Sequence, residues 1–273
     1  MISDTINRTT FKELIMGIKK KARSEKCTLY TNDYDSRMFE ELEFHCLYIP
    51  EKACVCLCSD ESELNRAYFY GFDRNALIEC LRNVPREVLL DYIVKGQNEI
   101  ESLFYEAGFS KIATYARKSI VVSKDDCQFK RSHSEILDQY YDESIGEIAT
   151  EEDVKEIHDL LCSVFDWRKD HIPSYETIKE LVEKRWMLIY RHRGRIQALY
   201  AYQIQGKKFY SNISYNALAA PVLYCLEKKA HEYVVNHYDI REKYSWIDIT
   251  NKKSLRRNTL DFDDVYDMIY QKD

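Results

Sequence analysis

The stretch Lys207–Asn236 constrains the fold more than any other part of this chain. Phe209, Ser211 and Ile213 alternate with Tyr210, Asn212 and Ser214, the two-residue period of a β-strand. The small residues Ala217, Ala219 and Ala220 follow, with Pro221 at the start of a helix. Proline fits a first helical turn because the N–H it lacks would have no intrahelical partner there. Val222, Leu226, Ala230 and Val234 then recur at helical spacing and form one apolar face. Ala220 at the cap position carries no side-chain oxygen, so the first N–H groups of the helix are left for water, loop backbone or an anion.

The surrounding pattern extends this unit. Two helices are predicted after Gly146, the first opened by the capping box Thr150/Asp153 and the second by Ser174. Trp186–His192 and Arg195–Gln205 read as a hairpin turning at Arg193-Gly194. Tyr244–Ile249 is a strand, Asn251 opens a short helix, and Val265–Tyr270 is a last strand. The order helix, helix, three strands, helix, strand, helix, strand resembles the GNAT acyltransferases, as do the opening phrase Gly146–Val154 and the closing phrase Asn251…Leu260-Asp261-Phe262.

The first half carries a similar order. Helices are predicted at Thr9–Lys21, Arg74–Arg82 and Glu99–Ala107, and strands at Phe44–Ile49, Ala53–Cys58, Leu64–Tyr70, Val88–Val94 and Lys111–Val122. Asn98 stands eleven residues before Phe109, as Asn251 stands eleven before Phe262. A matched phrase within a shared order signals a repeat. The expectation is an α+β chain of two tandem GNAT-like domains, each a mostly antiparallel sheet flanked by helices. The division is 1–124, a polar linker over 125–145 with a short helix near Glu135–Tyr141, and 146–273.

The resemblance implies a function and a site. In this family an acyl-CoA or phosphopantetheine arm lies where the strand before the long helix splays from the next strand, and the turn N–H groups hold the pyrophosphate. Carried onto this sequence, the binding residues are Ile213, Ser214, Tyr215, Asn216, Ala217, Leu218, Ala219 and Ala220, with Asn251 on the far wall. The family's turn has Arg and Gly where this chain has neither. Acyl transfer to an amine needs a base, donors for the oxyanion and an acid for the thiolate. Asp248 is the candidate base and Tyr215 the candidate acid. The matching turn in the first half, Tyr70–Asn75, places Asp73 where a phosphate would be repelled, and Tyr105 falls near the family's tyrosine.

The implied activity is transfer of an acyl group, acetyl above all, from acetyl-CoA, another acyl-CoA or an acyl carrier protein to an amine on a small molecule or peptide. The alternative is a binding or scaffolding protein that keeps the fold without the chemistry. A bulge in the splayed strand and an open cleft would favour the enzyme. A formal net charge of −6 argues against a dedicated nucleic-acid binder, and Lys19–Lys21 reads as a helix C-terminus complementing its dipole. No apolar run approaches the roughly 20 residues of a membrane span, and Met1–Thr5 lacks a signal-peptide pattern, so a cytoplasmic location is expected. Cys54, Cys56 and Cys58 alternate on a strand and read as reduced core thiols, with no metal expected.

Overall fold

The computed structural model describes residues 1–32, 43–59, 64–96, 100–122, 134–252, 255 and 262–273. It divides into two compact units, one of Met1–Thr114 with Val265–Asp273 and the other of Tyr115–Asp264.

In the first unit the strands are β1 (Ile2–Asn7), β2 (Tyr30–Thr31), β3 (Glu43–Ile49), β4 (Ala53–Ser59), β5 (Asn65–Gly71), β6 (Leu89–Lys95), the start of β7 (Phe109–Val121) and β13 (Val265–Lys272). Their order is β1-β3-β4-β5-β6-β13-β7, with β2 added to β5. β3, β4 and β5 are consecutive antiparallel neighbours, while β5 and β6 are parallel and share one aligned pair, Arg66 with Leu89. The alternation in β4 separates two cores. Ala53 and Val55 pack with Leu77 and Leu81 of α2 (Arg74–Arg82) and Phe104 of α3 (Glu101–Glu106). Cys54 and Cys56 pack on the other face with Phe11, Ile15 and Ile18 of α1 (Arg8–Glu25). Both faces of β4 are buried, which is why an alternating strand here carries no polar side.

In the second unit α4 (Ser134–Leu137) runs into a 3-10 turn, Asp138–Tyr140, as predicted near Glu135–Tyr141. Its strands β8 (Glu147–Ile148), β9 (Met187–His192), β10 (Arg195–Gln205), β11 (Lys208–Asn216) and β12 (Glu242–Asp248) are ordered β7-β12-β11-β10-β9-β8. All these neighbours are antiparallel except β11 and β12. Helices α5 (Val154–Val164) and α6 (Tyr175–Glu183) cover one face through Ile157, Leu161 and Ile178. The long α7 (Ala220–His237) covers the other through Leu226, Ala230 and Val234. The Thr150/Asp153 box forms, and the Ser174 hydroxyl accepts the Thr177 N–H at 3.1 Å.

Gly146, just before β8, sits at φ +91, a conformation that strains any residue with a Cβ, and an added Cβ there would collide with the Leu226 side chain. Its carbonyl accepts from the Lys229 ammonium of α7 at 2.7 Å.

These packing units do not coincide with the sequence division at 1–124 and 146–273. The last strand, read as the close of the second half, pairs antiparallel with β6 from Val265/Lys95 to Gln271/Leu89. The end of β7, read as the close of the first half, pairs antiparallel with β12 from Tyr115/Asp248 to Val121/Glu242. The last strand thus belongs to the first unit, and β7 belongs to the first unit up to Thr114 and to the second from Tyr115 on. Asn98, residues 125–133 of the expected linker and the segment from 256 to 261 lie outside the described residues. Among the described residues no helix is long and apolar enough to cross a membrane.

Candidate functional site

The site begins with an irregularity in β11. Ala201 of β10 is opposite Ile213, yet the next residue, Tyr202, is opposite Ser211. Asn212 is the extra residue of a β-bulge, which bends the strand that carries it. On its other edge β11 runs parallel to β12 from Lys208/Glu242 to Ser211/Ser245, and the pairing stops there. Beyond Ser211 that edge of β11 has no strand partner among the described residues. A cleft of about 260 Å³ opens between the two strands, lined by Ile213 and Ser214 from β11 and by Trp246 and Asp248 from β12. Leu223 and Glu227 of α7 also reach it.

The turn after β11 is braced by its own side chain. The Asn216 carboxamide accepts the Leu218 N–H at 2.9 Å and donates to the Ala219 carbonyl at 3.0 Å, and the Ala217 N–H reaches Gln197 of β10 at 2.9 Å. These bonds fix the backbone without glycine. Ala219 occupies the cap one residue earlier than predicted, in extended conformation at φ −73 and ψ 153, with no side-chain hydrogen bond, and Pro221 sits in the first turn. Ala217, Leu218 and Ala219 are all exposed.

Asp248 lies at the mouth of the cleft where β12 ends. Its Oδ1 accepts both the Thr250 N–H at 2.8 Å and the Thr250 hydroxyl at 2.6 Å, so one carboxylate oxygen shapes the turn. Asn251 lines the same cleft, and its carbonyl accepts the Leu255 N–H at 3.0 Å, the start of the predicted helical turn. Ile213 and Ser214 are brought to the cleft as well. Tyr215 is not. It alternates to the opposite face with respect to Ser214 and packs against the core under α5 and α6. The candidate acid thus shares the face of Ile213, which packs against the same core, but unlike Ile213 it does not line the cleft.

Four lining residues, Tyr115, Asp170, His171 and Lys118, do not stand out in the sequence pattern. The Tyr115 hydroxyl of β7 donates to Asp170 Oδ1 at 2.7 Å, and the other Asp170 oxygen accepts the Asp166 N–H at 2.8 Å. His171 stands beside them, its ring 5.9 Å from that of Tyr115. Lys118, also on β7, is only 8% exposed and lines the cleft. The segment Asp166–His171 has no periodicity of its own. The only available signal was its density of polar groups between two amphipathic helices.

The corresponding place in the first unit is closed. Beyond Arg66/Leu89, strand β2 pairs with β5, Tyr30 opposite Gly71 and Thr31 opposite Tyr70. Asn32, 4% exposed, then spans the gap between β5 and β6. Its amide donates to the carbonyls of Ala67 at 2.9 Å and Asp91 at 3.0 Å, and its oxygen accepts the Phe69 N–H at 2.7 Å. Arg66 bridges the same strands with bonds of 3.0 and 2.7 Å to the Asp91 carboxylate. Asp73 caps α2 by accepting the Ala76 N–H at 3.0 Å, a bond that holds its carboxyl below the usual range. Tyr105 donates to Glu101 at 2.6 Å, and that bond pushes its phenol up to about 12, which makes it a poor acid.

No family profile matches this sequence and no curated protein does. Solved structures do match. A GCN5-related N-acetyltransferase from Sphaerobacter thermophilus superposes with a TM-score of 0.55 at 10% identity, covering 82% of this chain and 79% of that one. A tandem GNAT protein from the clavulanic acid biosynthesis pathway gives 0.55 at 11% identity, over 98% of each chain. A GCN5-related N-acetyltransferase from Kribbella flavida gives 0.54 at 8% identity, covering 98% of this chain and 71% of that one. The splayed parallel strands, the bulge and the paired halves thus belong to a recognised architecture: this chain has the fold of the GNAT N-acetyltransferases, in tandem form.

Proposed function

We propose that the second unit is an N-acyltransferase that takes its acyl group, acetyl in the simplest case, from a coenzyme A or acyl-carrier thioester. The observation that carries this reading is the unpaired edge of β11 beyond Ser211, facing a cleft whose other wall is β12. A pantetheine arm carries amides suited to an open strand edge, and backbone N–H and C=O groups are obligatory hydrogen-bonding groups. The uncapped first turn of α7 suits an anionic group such as a pyrophosphate, with Ala217–Ala219 small enough or exposed enough to allow approach. The thioester supplies an activated carbonyl and a thiolate leaving group.

The chain's own residues then have defined tasks. β11 N–H groups donate to the developing oxyanion. Asp248, through its second oxygen, or Asp170, oriented by Tyr115, takes a proton from the acceptor amine directly or through water. Lys118 and Lys243 add positive charge to the cleft wall and Glu227 negative charge, which fits an acceptor that carries both an amine and a polar or anionic group.

The second reading, a binding protein without turnover, is favoured by Tyr215, which packs half-buried against the core and does not line the cleft, and by the absence of glycine in the turn. One experiment separates them. Thermal shift with coenzyme A, acetyl-CoA and longer acyl-CoAs should raise the midpoint, since a ligand at 100 times its Kd adds about 2.7 kcal/mol. Ala219→Asp puts a carboxylate at the proposed phosphate site and should weaken binding at least tenfold, while Asn75→Asp on α2 should change nothing. If thioesters bind but are not consumed with any amine, the binding reading stands. If Ala219→Asp leaves affinity within a factor of two, the site lies elsewhere.

A further inference from the structure

Cys54, Cys56 and Cys58 alternate along β4. The sheet register adds a residue that spacing alone does not reveal. Cys46 of β3 is directly opposite Cys56 of β4, so its side chain shares their face. The Cys46 and Cys56 sulfurs lie 2.8 Å apart and those of Cys54 and Cys56 3.7 Å apart. All three sulfurs fall within 4.8 Å of one another. A metal–thiolate bond of about 2.3 Å places sulfurs roughly 3.8 Å apart around one ion, so this triangle needs only small rotamer adjustments to close on it.

The setting is closed and dry. Cys46, Cys54 and Cys56 are 0% exposed and lie under Phe11, Ile15 and Ile18 of α1. Three sulfurs are the whole ligand set among the described residues. A structural zinc site takes four protein ligands, and a catalytic one completes its shell with water. Neither fits three thiols beneath an apolar helix. Soft thiolate ligands select copper(I) as well as zinc, and copper(I) accepts three-coordinate sulfur without a fourth donor.

We propose that Cys46, Cys54 and Cys56 form a copper(I) site in the core of the first unit, independent of the cleft in the second. Loading breaks three S–H bonds and forms three Cu–S bonds, the protons leave to solvent, and no electron is transferred. Lys19 of α1 holds its ammonium 5.2 Å from the ring of Tyr70, a member of the same apolar cluster.

The test uses the full chain, purified reduced and anaerobic. Copper(I) is titrated against a chromophoric copper(I) chelator and zinc(II) against a zinc indicator. The expected result is one copper(I) per chain, with thiolate-to-copper charge-transfer absorption in the ultraviolet. Cys46→Ala and Cys56→Ala should each weaken retention at least tenfold, and Cys80→Ala, on the opposite core face, should not. Copper-edge X-ray absorption of the loaded wild-type protein needs no variant and should find three sulfurs and no nitrogen or oxygen ligand. Absence of copper retention, stoichiometric zinc in its place, a Cys46–Cys56 disulfide that excludes metal, or a coordination shell containing nitrogen or oxygen would each overturn the assignment.

Discussion

The two units solve the same geometric problem in opposite ways. Each holds a pair of parallel strands that part company, β5 from β6 and β11 from β12, and each follows the first strand of the pair with a helix. In the first unit the chain occupies its own gap. β2 adds to the free edge of β5, Asn32 bridges the two strands with three hydrogen bonds, and Asp73 seals the helix start. In the second unit the gap remains a cleft and Ala219 leaves the helix start uncapped. The first arrangement satisfies buried backbone groups internally and gains stability. The second leaves such groups to solvent or ligand, which is what a binding site requires. A likeness of fold therefore does not extend to a likeness of site.

The largest effect that would test this contrast comes from Asn32→Ala. The substitution leaves the Phe69 N–H and the Ala67 and Asp91 carbonyls without their partner at a buried position. An unsatisfied buried group costs about 1–3 kcal/mol, and partial hydration of the new space offsets some of the sum. A loss of about 3 kcal/mol in urea unfolding is expected, with hydrogen exchange accelerated at the Phe69 amide. Coenzyme A affinity should stay within a factor of two, because the proposed ligand site is in the other unit. A Phe69 amide that exchanges no faster would mean that Asn32 is not what closes the gap.

Arg66→Leu comes next. It removes the Nη1 that donates to both Asp91 oxygens and leaves that carboxylate half-buried opposite an apolar side chain. The pair is only partly desolvated, so about 1–2 kcal/mol is expected rather than the 3–5 of a fully buried pair. The measurement is the same unfolding midpoint, with the Asp91→Asn, Arg66→Leu double variant recovering part of the loss.

Much of this fold was legible in the sequence, and the reason is local. Arg74–Arg82 was bounded correctly because the apolar spacing of Leu77, Ile78 and Leu81 lies within one short stretch, while the Asp73 cap showed only in the structure. The Thr150 box, the Ser174 cap and the β11–turn–α7 unit were read for the same reason. What stayed hidden depends on partners far away in sequence. Asn32 has meaning only beside Phe69, 37 residues on, and Asp170 only beside Tyr115, 55 residues back. Cys46 joins Cys56 through strand register. β2 spans two residues, too few for any period to show. The pairing of β13 with β6, and of the end of β7 with β12, was invisible because the strand pattern does not name the pairing partner. Tyr215 shares its strand face with Ile213, which does line the cleft, so alternation alone could not show that Tyr215 packs against the core under α5 and α6 instead.

Asp73→Ala sharpens the contrast at the helix starts. Removing an N-cap acceptor costs about 1 kcal/mol. The effect should depend on pH with a definite sign. The bond from the Ala76 N–H, aided by Lys52, holds the folded carboxyl below the unfolded value of about 3.9. The cap therefore contributes fully above that value and fades as the pH falls through the lower folded one. The stability gap between wild type and Asp73→Ala should be constant from about pH 5 to 7 and shrink below about pH 4. A gap that widens on acidification would show that the cap is not the carboxylate's role.

The smallest expected effect comes from Ala219→Asp in the absence of ligand, and its sign carries the argument. The backbone at Ala219 is already extended, at φ −73 and ψ 153, close to the −88 and 111 of Asp73. A carboxylate there meets the same first-turn geometry that Asp73 meets and should accept one of the free N–H groups. Caps of this kind contribute about 0.5–1 kcal/mol relative to alanine, and the helix dipole adds to the preference for negative charge. The ligand-free variant should therefore unfold at a slightly higher urea concentration than wild type, while the same substitution weakens thioester binding. Stability gained and affinity lost at one position is the signature of a helix start kept open for a ligand. If the ligand-free protein is instead destabilised, the turn braced by Asn216 does not admit a side-chain cap. Ala219 would then be there for steric reasons rather than to leave the N–H groups available.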